Sequence, residues 1–239
     1  MKQKEHLHCL DSLRGFAVLC MVFYHGAYNL HLFDFIPSWL LLNPLLNFLQ
    51  PLFAGIFIVL SGVVSRFSRS NARRGARLLV ISLGITLVTW LIGVPILFGV
   101  LHFLAVSILL YSALRRFWDK MPLWAAVLLC VVGFVLLWNV AGGQAIDGIA
   151  GWLLFPFGWF ATGFRSADYY PLLPWIFLFF AGTSLGAWFR QADTKPAWFR
   201  DWKAGFFAGI GRRALLVYLL HQPILYGLTL ALHHILGDG

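Results

Sequence analysis

The run from Leu10 to Leu32 is apolar and long enough to cross a bilayer as a helix, yet it carries Arg14 near one end and His25 towards the other. A guanidinium and an imidazole inside a membrane span are expensive, so both are expected to face protein or water and to serve a function. At about 1.5 Å of rise per residue the two groups sit roughly 16 Å apart along the axis, near half of the hydrocarbon core. One helix thus holds a cation near one membrane face and a titratable base or nucleophile towards the other. That arrangement suits chemistry that draws a charged donor from one side and serves an acceptor on the other.

The rest of the chain is as apolar as this run. Of its 239 residues 60% are hydrophobic and 11% charged, and the mean hydropathy is +0.80, which excludes a soluble domain. The expected fold class is all-α, a polytopic membrane bundle of residues 1–239 as a single domain. The 11 Trp and 23 Phe suit lipid-facing surfaces and interfacial belts. A sequence pI near 9.9 does not point to nucleic acid, because the basic residues lie in short clusters between apolar segments rather than on one face. Three Cys, with Cys20 and Cys130 inside apolar runs, give no disulfide framework and no metal spacing. The first apolar run is too long, and lacks the small-residue site, for a cleaved leader.

Length and flanking charge predict seven spans, at about 10–32, 45–65, 78–97, 98–114, 122–140, 171–189 and 212–236. A tight turn is expected between the third and fourth, near Gly93-Val-Pro95 or Gly99. With seven spans, 17 of the 18 Lys and Arg fall on one side of the membrane: Lys2, Lys4, Arg14, Arg66, Arg69, Arg73, Arg74, Arg77, Arg115, Arg116, Lys120, Arg190, Lys195, Arg200, Lys203, Arg212 and Arg213. Only Arg165 lies opposite. The positive-inside rule then puts the N-terminus in the cytoplasm. The outer surface is built from residues 33–44, a turn near 94–99 and the long segment 141–170. The last is broken by Gly and Pro (Gly151-Trp-Leu-Leu-Phe-Pro-Phe-Gly-Trp159), and is expected to be re-entrant or interfacial.

Polar residues within or beside the spans are the candidates for chemistry. Asp11 and Arg14 lie three apart on one helix face; they form an intrahelical ion pair, or Arg14 holds an anionic cosubstrate while Asp11 fixes its rotamer. The basic run from Arg66 to Arg77, with Arg73 and Arg74 at its centre, is either a topology signal or a second contact for the same ligand. His25 is a general base, a nucleophile that passes through an acyl-imidazole, or a satisfied polar residue; His31 is a weaker candidate in or near the first outer loop. His102 begins the fourth span at its outer end, and by depth could line one outward cavity with His25. His221 and Gln222 precede Pro223 in the last span, where the missing N–H frees the Leu219 carbonyl and marks a kink. Asp168, before Tyr169-Tyr-Pro-Leu-Leu-Pro174, either orients a histidine or is an interfacial acid. No metal cluster, nucleophile elbow, P-loop or dinucleotide fingerprint is present. His6, His8, His233 and His234 are terminal and uninformative.

Leu10-Asp-Ser-Leu-Arg-Gly-Phe-Ala-Val-Leu-Cys-Met-Val-Phe-Tyr-His25 resembles the first transmembrane helix of the membrane acyltransferase superfamily, whose hallmark is an Arg, ten residues and a His. Phe57-Ile-Val-Leu-Ser-Gly62, Phe98-Gly-Val-Leu-His102, Asp168-Tyr-Tyr-Pro-Leu-Leu-Pro-Trp175 and Tyr218-Leu-Leu-His-Gln-Pro223 resemble, in order, the catalytic-domain family of heparan-α-glucosaminide N-acetyltransferase in its small bacterial form. The resemblance implies acetyl transfer from cytoplasmic acetyl-CoA to a sugar or glycan amine or hydroxyl on the far side. It also implies a bacterial inner-membrane location and no metal. Animal members carry an Asn at the position of His25 and their catalytic His about three turns later. The resemblance therefore leaves the role divided between His25, which is preferred, and His31. Membrane lipid and a second copy of the chain complete the expected partners.

Two rival readings are compatible with the sequence. A proton-coupled or small-molecule transporter fits buried histidines and a Pro-broken last helix, but no repeat is evident and intramembrane acids are nearly absent. A non-catalytic membrane scaffold is disfavoured because Arg14 and His25 are both present.

Overall fold

The computed structural model describes residues 8–138, 144–191 and 205–237. The predicted roles of Lys2, Lys4, His6, Lys195, Arg200 and Lys203 as topology or terminal residues lie outside them. The chain is overwhelmingly helical: α1 (His8–Leu32), α2 (Ser38–Leu41), α3 (Pro44–Phe67), α4 (Asn71–Leu91), α5 (Val100–Trp118), α6 (Leu123–Trp138), α7 (Ile149–Leu154), α8 (Trp175–Gln191), α9 (Phe206–Arg212) and α10 (Ala214–Gly237). Among the described residues, four stretches are long and apolar enough to cross a membrane: Pro44–Phe67, Asn71–Leu91, Val100–Trp118 and Ala214–Leu236. Leu123–Trp138 is apolar but shorter. Large apolar side chains such as Val80, Leu91, Trp124 and Leu136 are more than 60% exposed, the surface expected where the solvent is hydrocarbon. The chain is an all-α integral membrane protein.

Each predicted span coincides with a helix, and the ends differ for local reasons. The third was expected to reach residue 97, but α4 stops at Leu91, before Gly93 at φ 80° and Pro95. The sixth was expected from residue 171; Pro171 and Pro174 delay α8 to Trp175. The last divides at Arg213 into α9 and α10, and α10 continues as helix through Pro223. The broken segment 141–170 holds a small parallel pair, β1 (Gln144–Ile146) with β2 (Trp159–Ala161), joined by α7 and a 3-10 turn at Phe155–Phe157.

Two compact units are distinguished, residues 1–60 with 194–239 and residues 61–193, and the boundary falls within α3. In the first, α1 packs on α9 and α10. Its contact with α9 is glycine-to-backbone: a Cβ at Gly15 would overlap the Phe207 carbonyl, and one at Gly211 the Asp11 carbonyl. Phe16 meets Phe53 and Phe207 edge-on beside this crossing, both at 5.9 Å. In the second, α4 and α5 form a hairpin and α8 packs on α5 and α6. Its core is built on Phe103, Ile108, Tyr111 and Phe179, all fully buried. Gly62 admits the Phe179 carbonyl as closely as Gly15 admits that of Phe207.

Because α1 and α9 touch through backbone, Gly211→Ala is expected to cost about 1–3 kcal/mol by overpacking. Gly209→Ala in the same helix, with no atom within 4 Å of its Cβ, is expected to be neutral or stabilising. Thermal unfolding of the two variants in detergent checks this.

Candidate functional site

The first unit gathers polar side chains at two levels of α1. At the lower level Asp11 Oδ1 lies 4.0 Å from Arg14 Nη1, a loose pair at the edge of ion-pair range, with Arg14 only 21% exposed. The Arg14 Nε is buried and has no hydrogen-bond partner among the described residues. Gly15 and Gly211 bring α9 against this same turn at backbone contact. A half-buried cation with a spare N–H and one distant carboxylate can take up an anion.

At the upper level the rings of His25 on α1 and His221 on α10 are 5.1 Å apart and tilted by 55°. Their neighbours Tyr24 and Tyr218 flank them at 5.9 Å and 5.5 Å. His221 Nδ1 lies 2.6 Å from the Tyr218 carbonyl, an oxygen that only accepts, so Nδ1 carries the proton and Nε2 the lone pair. One turn beyond His25, Asn29 is 1% exposed and its Oδ1 accepts from Gln222 Nε2 at 3.2 Å. Asn29 Nδ2 and Gln222 Oε1 then have no hydrogen-bond partner among the described residues. Exchanging O and N in both amides would still leave one buried donor and one buried acceptor. The two helices therefore present an imidazole pair with a spare N–H and a spare carbonyl oxygen close by, a set matched to a reacting carbonyl and a nucleophile's proton.

His31 is spent differently. Its Nδ1 donates to the Ile36 carbonyl at 3.1 Å and closes the turn after α1, where Asp34 takes φ 59°. It lies six residues past His25, on another face of the helix.

The second unit holds the remaining candidates. His102, 4% exposed on α5, is 2.9 Å from Thr86 Oγ1 on α4. Thr86 donates its one hydroxyl proton to the Ile96 carbonyl at 2.6 Å, so His102 donates through Nε2. Asp168 Oδ2 accepts from the Val100 N–H at 3.0 Å, capping the helix that carries His102 from 68 residues away. A Cβ at Gly99 would strike that carboxylate. Ser166 accepts from Leu97 N–H and donates to the Asp168 carbonyl, and Phe98 bridges Tyr169, so 95–100 and 166–170 are tied as a parallel backbone pair. Burial pushes the Tyr169 hydroxyl up to about 12; it stays protonated and donates to the Phe155 carbonyl. His25 and His102, expected to line one outward cavity, belong to different compact units.

Within the basic run the side chains divide. Arg66 is buried, forms an ion pair with Asp119, donates through Nε to the Thr183 carbonyl at 3.0 Å and lies over the Tyr111 ring at 5.6 Å. A cavity of about 250 Å³ opens beside it, lined also by Trp118 and Ser184, but the Arg66 charge there is already compensated. Arg74 Nη1 donates to Ser65 Oγ at 3.3 Å. Arg69, Arg73 and Arg77 are exposed. Sequence reasoning missed Asn29, Thr86, Tyr111 and Asp119. For Asn29 the signal was available, a polar residue one turn from His25 within an apolar helix.

The sequence matches the family described as heparan-alpha-glucosaminide N-acetyltransferase, catalytic, over residues 7–223. The chain belongs to that family. It is a membrane acetyltransferase in general class, and the match runs from the start of α1 to Pro223, through both compact units. No curated protein and no solved structure matches the chain.

Asp168 is expected to act through the cap it gives α5. Asp168→Ala is predicted to cost about 1 kcal/mol, read as a fall of roughly 2–4 °C in Tm, while Asp168→Asn keeps most of the stability.

Proposed function

We propose that this chain is an acyltransferase of the bacterial cytoplasmic membrane. It takes acetyl from cytoplasmic acetyl-CoA and delivers it to an amine or hydroxyl of a sugar or glycan on the outer side. Residues 1–239 act as one domain of seven spans with the N-terminus inside. The observation that carries this reading is α1 itself, which bears a partly compensated buried guanidinium at Arg14 and the His25–His221 pair about 16 Å along its axis. The family match supports the reaction class, and its passage through both units supports the single domain.

In this reading Arg14 grips a phosphate of CoA by its planar fork, and Asp11 limits the rotamers from which it does so. The pantetheine arm runs along the apolar face of α1 and brings the thioester towards His25. His25 draws the proton from the acceptor as the nitrogen or oxygen attacks the acetyl carbon. The C–S bond breaks, CoA leaves as thiolate, and a proton from the imidazolium restores the thiol. In the two-step alternative the His25 imidazole attacks the thioester, the C–S bond breaks and CoA leaves with the imidazole proton; the acceptor then attacks the acetyl-imidazole and returns its proton to the ring as the N–acetyl bond breaks. In this reading the spare amide N–H of the Asn29–Gln222 pair stabilises the oxyanion in either route. His221, with its lone pair on Nε2, orients the His25 ring.

Transport, the rival reading, gains nothing from a match to a transferase family. Detergent-purified protein is expected to bind acetyl-CoA saturably in titration calorimetry, and Arg14→Ala to weaken binding about tenfold or more. No binding by either protein, or equal binding by both, would contradict the proposal.

A further inference from the structure

We propose that the outward face of α4 is a binding site for an anionic glycerophospholipid. Arg73 and Arg77 hold its phosphate, and an acyl chain lies over Val80, Gly84 and Leu87. The cluster from Arg66 to Arg77 separates by direction. Arg66 and Arg74 turn inward to Asp119, the Thr183 carbonyl and Ser65. Arg69, Arg73 and Arg77 are exposed and, among the described residues, form no ion pair.

Arg69 precedes the helix, whereas Arg73 and Arg77 lie four apart within it, with Cβ atoms about 6 Å apart on one side. No Asp or Glu occurs anywhere in α4. Like charges at this spacing repel, and two guanidinia so placed are matched to one phosphate.

The same side of the helix then turns apolar without interruption. Val80 is 70% exposed, Leu87 57%, Val88 58% and Leu91 70%. Gly84 sits among them with nothing within 4 Å of a Cβ, so the face is indented there. From Arg77 to Leu87 the helix rises about 15 Å, the depth of one leaflet.

A headgroup anion joined to a hydrocarbon chain fits both halves of this face. A CoA phosphate fits only the first, because its nucleotide would then lie against the bilayer. The inference does not depend on acyl transfer and gives Arg73 a lipid role in place of a cosubstrate one.

The test uses the full chain in detergent, with dioleoyl phosphatidylglycerol or dioleoyl phosphatidylcholine added, read by native mass spectrometry and by Tm. Phosphatidylglycerol is expected to be retained in preference and to raise Tm more than phosphatidylcholine does. R73Q/R77Q is expected to weaken its retention roughly 30-fold, while the charge-matched R212Q/R213Q leaves it unchanged. Equal effects of the two lipids on the wild type overturn the proposal without recourse to a variant. So does an equal loss in both double variants, or a loss of acetyl-CoA binding in R73Q/R77Q with lipid retention intact.

Discussion

A polar side chain in hydrocarbon must find its partner inside the protein, because no water is there to supply one. Several helix pairings meet that requirement with side chains from different helices. Gln222 reaches Asn29 from 193 residues away, and Arg66 reaches the Thr183 carbonyl from 117. His102 finds Thr86 within the α4–α5 hairpin. Glycine makes these meetings possible: Gly15 and Gly211 bring α9 onto α1, and Gly62 brings α3 onto α8, at backbone contact.

The groups left incompletely partnered are then informative. Among the described residues they include the Arg14 Nε and one donor and one acceptor of the Asn29–Gln222 amides, on α1 and α10, and also Asn71 Oδ1 on α4 and His102 Nδ1, Ser107 Oγ and the Tyr111 hydroxyl on α5. Elsewhere, comparable charges are fully engaged, Arg66 with Asp119 and a carbonyl, Asp168 with the first turn of α5. A buried polar atom without a partner destabilises the folded chain by about 1–3 kcal/mol. Around α1 such atoms lie at two levels, at Arg14 and one turn beyond His25.

Much of this was legible in the sequence, and the remainder was hidden for definable reasons. Helix positions follow from apolar length, and their ends from Gly93, Pro171 and Pro174, whose effects are local. Arg14 and His25 stood out because charge inside an apolar run is rare. The partners did not stand out. Nothing in Tyr218-Leu-Leu-His-Gln-Pro223 says that His221 faces His25 or that Gln222 faces Asn29; that depends on how α1 and α10 are rotated against one another. Asp168 was weighed as a histidine's orienter or an interfacial acid, whereas it caps a helix 68 residues away, a pairing that only the fold creates. The basic run looked uniform in sequence and is divided by direction in space, Arg66 and Arg74 inward, Arg69, Arg73 and Arg77 outward.

The central claim is that the reacting histidine is the one on α1 beside His221, not the one that closes the following turn. Release of CoA from acetyl-CoA, with glucosamine as acceptor, measured for the wild type, His25→Ala and His31→Ala, tests it most directly. The account predicts that His25→Ala lowers the rate at least about a hundredfold while His31→Ala stays within a few-fold of wild type. Loss in His31→Ala with turnover retained in His25→Ala would contradict it.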